Sequence, residues 1–254
     1  MWITAPIIAT TLALAMAQRA DAGEIRVVSG GAFKQVLGAL AALYEKESGD
    51  TLTISYQTVG QHLVLIRDGK ETFDVAVLTP EAIDSLAKEG KVVPGTRADL
   101  ARTGVGVVVK KGAPLPDIGT VEAFKQTLLA AKSVAFIDPK AGGSSGIYVE
   151  RLLDRLGIAA QINGKAVLVQ GGAVADHVAD GEAEIGIHQI SEILPVAGAT
   201  LVGPLPAEIQ NFTIYAAAVG TAAQNATQAS ALVRFLSGPH ALPIIKAKGM
   251  EPAS

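Results

Sequence analysis

The sequence contains no cysteine, which excludes disulfide bridges and thiolate metal sites. Aromatic residues make up only 4% and charged residues 18%, with 21 basic against 24 acidic side chains. A slightly acidic chain with so few stacking side chains lacks the basic, aromatic surface of a nucleic-acid binder. Beyond the N-terminal segment no run reaches the roughly 18 to 20 uninterrupted apolar residues of a membrane span. There is no P-loop and no G-x-G-x-x-G after a strand, so nucleotide chemistry has no support. The histidines, His62, His177, His188 and His240, match no zinc spacing, and neither metal nor cofactor is expected. What is present is 49% apolar residue content over 254 positions, enough for one large or two ordinary domains with a core that needs no staples.

The apolar run from Ile3 to Ala17 is too short to span a bilayer, and Ala20-Asp21-Ala22 has the small-x-small pattern of a cleavage site. Residues 1–22 therefore read as a secretory signal peptide, and the mature chain is expected in the periplasm. No Lys or Arg precedes the run, so an uncleaved membrane anchor is the alternative.

From Glu24 onward, strand-like and helix-like segments alternate, the pattern of an α/β fold with mostly parallel sheets flanked by helices. Strands are expected over Ile25 to Ser29, Leu52 to Tyr56 and Phe73 to Leu78, with helices between them. After Val105 to Val109 the pattern repeats through strands Val134 to Ile137, Ala166 to Val169 and Ile185 to Ile187, and a late strand covers Thr213 to Ala218. Pro/Gly-rich stretches at Gly112 to Pro116 and Gly203 to Pro206 read as two crossings. A two-lobed molecule follows, with residues 23–104 and 207–254 in one lobe and 105–206 in the other. Ligands of such open sheets bind at the carboxyl ends of strands.

Four strand-to-helix loops combine glycine or a hydroxyl residue with an imminent helix start: Ser29-Gly30-Gly31-Ala32, Gln57-Thr58-Val59-Gly60, Gly142 to Gly146 around Ser144 and Ser145, and Gln170-Gly171-Gly172-Ala173 before Val174. Free amides and the positive helix end suit each to an anion. One such loop alone is ordinary helix capping; four on a two-lobed pattern point to a small anionic ligand. Gly142 to Gly146 also reads G-x-S-x-G, the pattern of a serine nucleophile, but Asp138 to Ala141 separate it from its strand. His177 and His240 read as solvated, whereas His62 and His188 follow site loops and either face the cleft or are satisfied polar residues at element ends. Facing a ligand, they suit a carboxylate or a proton transfer better than a simple oxyanion.

The order of these loops resembles the periplasmic molybdate-binding proteins of ABC importers, in the type II solute-binding superfamily. The resemblance is carried by Ile25 to Phe33, Ala41 to Gly49, Phe73 to Leu78, Gly146-Ile147-Tyr148 and Gly181 to Ile187. It implies a type II periplasmic-binding-protein fold and a monomer that holds an anion on backbone amides and hydroxyls, with an ABC transporter permease as partner. Ala32, Thr58-Val59 and Gln189 fall where that family places hydroxyl residues, so an organic carboxylate fits better than molybdate. The branch also resembles the group containing periplasmic aconitate isomerase, which implies His62 or His188 as a base for allylic proton transfer. The expected ligand residues are Gly30, Gly31, Ala32, Thr58, Val59, Gly60, Ser144, Ser145, Gly146, Gly172, Val174, His188 and Gln189.

Overall fold

The computed structural model describes residues 23–253; the expected signal peptide, residues 1–22, lies outside the described residues. Strand β1 (Glu24–Gly30) leads through a 3-10 turn (Gly31–Phe33) into α1 (Lys34–Ser48), whose Val36, Leu37, Leu40 and Tyr44 recur at helical spacing and are buried. Gly49 ends that helix in the left-handed conformation, φ 82°. Then follow β2 (Thr51–Gln57), α2 (Val59–Arg67), β3 (Val75–Leu78) and α3 (Pro80–Lys88), the last with Thr79 as cap and Pro80 in its first turn. The long strand β4 (Ala98–Lys110) leaves this half of the molecule.

The second half holds α4 (Val121–Ala130), β5 (Val134–Ile137), α5 (Ser144–Arg155), α6 (Ala159–Asn163), β6 (Ala166–Val169), α7 (Val174–Asp180), β7 (Ile185–Gln189), α8 (Ile190–Ile193) and β8 (Ala199–Pro204). The chain returns through β9 (Phe212–Val219), α9 (Ala226–Leu236), α10 (Ala241–Ala247) and β10 (Glu251–Pro252).

The strands form a ten-stranded sheet with path β2-β1-β3-β9-β4-β7-β5-β6, β8 and β10 pairing with β4. The expectation of mostly parallel sheets needs correction. β1, β2 and β3 are parallel, as are β5, β6 and β7, but β9 runs antiparallel to β3, and β4 is antiparallel to every strand it pairs with. The cause is the crossing itself: β4 and β9 carry the chain between halves in opposite directions. The expected boundary between residues 104 and 105 falls inside β4, where Gly104 pairs with Phe212 of β9 and Val105 with Gln189 of β7. Gln210 pins this switch, its Oε1 accepting from the Val105 amide at 2.9 Å and its Nε2 donating to the Val105 carbonyl at 3.0 Å. The stretch from Gly203 is also more ordered than a simple crossing, because residues 199–204 form β8 against β4.

Each half has its own core. Phe33, Leu37, Leu40 and Leu232 pack on one side of the first half, and Phe124, Leu128, Phe136 and Leu152 fill the second. No described helix is long and apolar enough to cross a membrane.

Candidate functional site

A cavity of about 400 Å³ opens between the halves, at the carboxyl ends of β1, β2, β5 and β7. Of the expected ligand residues, Gly31, Thr58, Val59, Ser144, Ser145, Gly172, His188 and Gln189 line it. The others do not, each for a packing reason. Gly30 lies under the Tyr215 ring, where a Cβ would meet Cε1 at 2.6 Å. Ala32 is buried, its carbonyl accepting from Ser191 Oγ at 2.9 Å. Gly60 packs on the Gly142 backbone, Gly146 on the end of β5, and Val174 in the core of the second half.

His62 is fully buried away from the cavity: Nε2 lies 3.1 Å from the Ser29 carbonyl and Nδ1 2.7 Å from Glu71 Oε2. Both ring nitrogens are used, so it is a satisfied core histidine that braces the end of β1. His177 is bonded to Glu182 at 2.6 Å and His240 packs on Phe235, both outside the cavity lining.

The helix starts differ in what they leave free. α2 is closed by its own capping box, in which Thr58 Oγ1 accepts from the Gln61 amide and Gln61 Oε1 from the Thr58 amide. The same hydroxyl donates to the Ala141 carbonyl, so Thr58 ties the two halves together and has no proton left for a ligand. α5 begins with Gly143 as an uncapped N-cap, which leaves its first amides without a side-chain partner beside Ser144 and Ser145. Ser144 Oγ accepts from Gln189 Nε2 at 2.9 Å and bonds to Tyr215, whose hydroxyl also lies 3.3 Å from Gln189 Oε1. With these partners in place of a histidine, Ser144 has no base, and the G-x-S-x-G reading fails on geometry.

His188 is 2% exposed and lines the cavity. Its Nε2 lies 3.3 Å from Oε2 of Glu192, four residues on across the β7–α8 junction, and its Nδ1 is buried without a partner. Burial depresses the His188 imidazole to about 3 and raises the Glu192 carboxyl to about 8, the latter drawn back somewhat by Lys34. Burial and the nearby Glu192 carboxylate also raise the Tyr215 hydroxyl. Lys34 reaches the cavity from the first turn of α1, its Nζ 5.4 Å from the centre of the Tyr56 ring. Gly31 is required here, because a Cβ would meet Glu192 Oε1 at 2.6 Å.

Sequence reasoning missed Lys34, Glu192, Tyr215, Tyr56 and Asp176, all in the lining. Glu192 carried a signal, standing four residues after His188 with an element start between them. Among the described residues no cluster of His, Asp and Glu could hold a metal ion.

A sheet crossed twice by one chain, with the cavity at the crossing, is the architecture of type II periplasmic binding proteins. A solved example, the periplasmic molybdate-binding protein of Azotobacter vinelandii, superposes with a TM-score of 0.74 at 21% identity, covering 89% of this chain and 98% of that one. The chain belongs to the bacterial extracellular solute-binding protein family, which it matches over residues 25–251. It is 33% identical over 233 residues to an aconitate isomerase of a Pseudomonas species, covering 90% of this chain and 87% of that protein. With the molybdate-binding protein ModA of Azotobacter vinelandii, identity is 27% over 242 residues, with 92% of each chain covered.

Proposed function

We propose that this chain is a periplasmic solute-binding protein that closes two lobes, residues 23–104 with 207–254 and residues 105–206, on a small anion for delivery to an ABC importer. An organic carboxylate is the favoured ligand, held by Gly31, Val59, Ser144, Ser145, Gly172, His188 and Gln189, with Lys34 added. One observation carries the reading. His188, whose buried Nδ1 has no partner, lines the cavity together with the open start of α5 and with Lys34 from the other half. An unpaired buried polar group costs about 1–3 kcal/mol, which a ligand oxygen offsets. The cavity volume of about 400 Å³ suits a small organic molecule more than a lone tetrahedral oxyanion.

The test is a thermal-shift panel of molybdate, tungstate, sulfate and phosphate beside citrate, the aconitates, malate and tartrate. A ligand at about 100 times its Kd adds roughly 2.7 kcal/mol, and the account expects this from a carboxylate. Stabilisation by the inorganic oxyanions alone would reject the carboxylate assignment.

Closure itself is testable at the Gly60–Gly142 contact, where the Gly60 amide donates to the Gly142 carbonyl at 3.1 Å and a Cβ on Gly60 would meet Gly142 Cα at 2.6 Å. Gly60→Ala is expected to weaken ligand binding by about 1–3 kcal/mol, the usual cost of overpacking. Small-angle scattering should show a larger radius for the liganded variant than for the liganded parent chain.

A second reading is favoured by the His188–Glu192 pair and by the aconitate isomerase relative. A base that takes an allylic proton from one carbon and returns it to another would isomerise a small tricarboxylate, and the position of His188 in the cavity lining supports it as that base. Proton NMR of cis- and trans-aconitate after prolonged incubation separates the two: unchanged compound supports the binder, interconversion the isomerase.

A further inference from the structure

We propose that the His188–Glu192 pair is a proton gate on anion capture: the cavity holds its anion while the pair carries one shared proton and loses it when that proton leaves. This rests on the reading of the cavity as an anion site and adds to it a dependence on pH.

The geometry carries the argument. Glu192 stands at the start of α8 with its side chain 16% exposed, and its Oε2 reaches His188 Nε2 at 3.3 Å. On its other side the carboxylate lies against the Gly31 backbone. Lys34 from α1 acts on it, it acts in turn on Tyr215 from β9, and Asp176 of α7 and Lys34 are the other charged side chains of the cavity lining. His188 Nδ1 has no partner.

With one shared proton the pair has two arrangements. Either the neutral Glu192 acid donates to Nε2 and the ring hydrogen sits on Nδ1, or an imidazolium faces a carboxylate with hydrogens on both nitrogens. In both, the pair is neutral overall and Nδ1 is an N–H donor. Once the proton leaves, the remaining ring hydrogen is drawn to Nε2 by the carboxylate. Nδ1 then offers a lone pair, the pair carries a negative charge, and an anion meets repulsion where it had a donor. The raised Glu192 carboxyl, at about 8, puts this change on the alkaline side of neutrality.

Calorimetric titration with trans-aconitate and with molybdate, from about pH 6.5 to 9.5, tests the gate, since carboxylates there are already fully ionised. The parent chain should lose about tenfold in affinity per pH unit above the transition and take up close to one proton on binding there, read by repeating the titration in buffers of different ionisation enthalpy. Glu192→Gln should bind with a flat pH profile, because its amide donates to Nε2 permanently and keeps the hydrogen on Nδ1. Lys34→Gln should bind more weakly at every pH yet retain the slope, with its midpoint moved upward. Should Glu192→Gln fail to fold by circular dichroism, the parent slope, the proton uptake and the Lys34→Gln midpoint decide. A probe that binds the parent chain with a flat profile overturns the gate alone, as does an unchanged slope in folded Glu192→Gln. Binding of neither probe at any pH overturns the anion reading and the gate with it.

Discussion

Replacing His188 by alanine is expected to lower the affinity for the bound anion by about ten- to a hundredfold. That range corresponds to roughly 1.5–3 kcal/mol, the contribution of a hydrogen bond to a charged group. The effect is large because His188 sits 2% exposed in the cavity lining with its Nδ1 free of any protein partner. The variant also leaves the Glu192 carboxyl without its imidazole partner at 3.3 Å. His177→Ala is the control: that ring lies outside the cavity lining, bonded to Glu182. Calorimetric titration of both variants with a ligand that stabilises the parent chain gives the comparison. Equal affinity in His188→Ala would place the anion elsewhere.

Asp74→Ala is expected to destabilise the fold by about 2–4 kcal/mol, since a buried carboxylate that accepts from several donors is lost, while the Arg26 side chain, 28% exposed, stays hydrated. Asp74 accepts from the Arg26 amide at 2.7 Å, from Arg26 Nε at 3.0 Å and Nη2 at 2.9 Å, and from the Gln224 amide at 2.8 Å. One carboxylate thus ties β1 to the segment that precedes α9. Burial works to raise the Asp74 carboxyl, but the Arg26 guanidinium and the two amides outweigh it and hold it below the ordinary carboxylate range. A depressed folded value means that its stabilisation is complete above about pH 4 and is lost as pH falls through the folded value. Thermal melts should show the parent chain losing stability on that acid limb, and Asp74→Asn should lose the part of that dependence due to this carboxyl. An Asp74→Ala melt within about 1 kcal/mol of the parent would show that the pair and its amides contribute little.

The strands at residues 134–137 and 166–169 and the helices at 174–180 and 226–236 stand where periodicity and glycine placed them, because each is a short element whose core face is written locally. β4 was read as five residues and is thirteen, since its first stretch, Ala98–Gly104, alternates weakly and is held by distant pairing with β9 and β10. β8 and β10 were missed for the same reason. In the candidate site, the loops that end β1, β2, β5 and β6 were legible from glycine and hydroxyl residues. Which of their residues reach the cavity was not: Gly30, Ala32, Gly60, Gly146 and Val174 sit in those loops or beside them but pack inward. Thr58 was legible as a hydroxyl but not as one already spent on capping and on the Ala141 carbonyl. Tyr215 enters from a strand more than twenty residues beyond β7, and only the β4–β9 pairing brings it to Gln189.

The measurement that bears most directly on the account is a crystal structure of the chain soaked or grown with trans-aconitate. The account predicts a ligand carboxylate in the cavity between the halves, with one oxygen about 2.7–3.2 Å from His188 Nδ1 and another near Lys34 or the first amides of α5. Ligand density outside the cavity, or inside it with His188 Nδ1 still unpaired, would contradict the account.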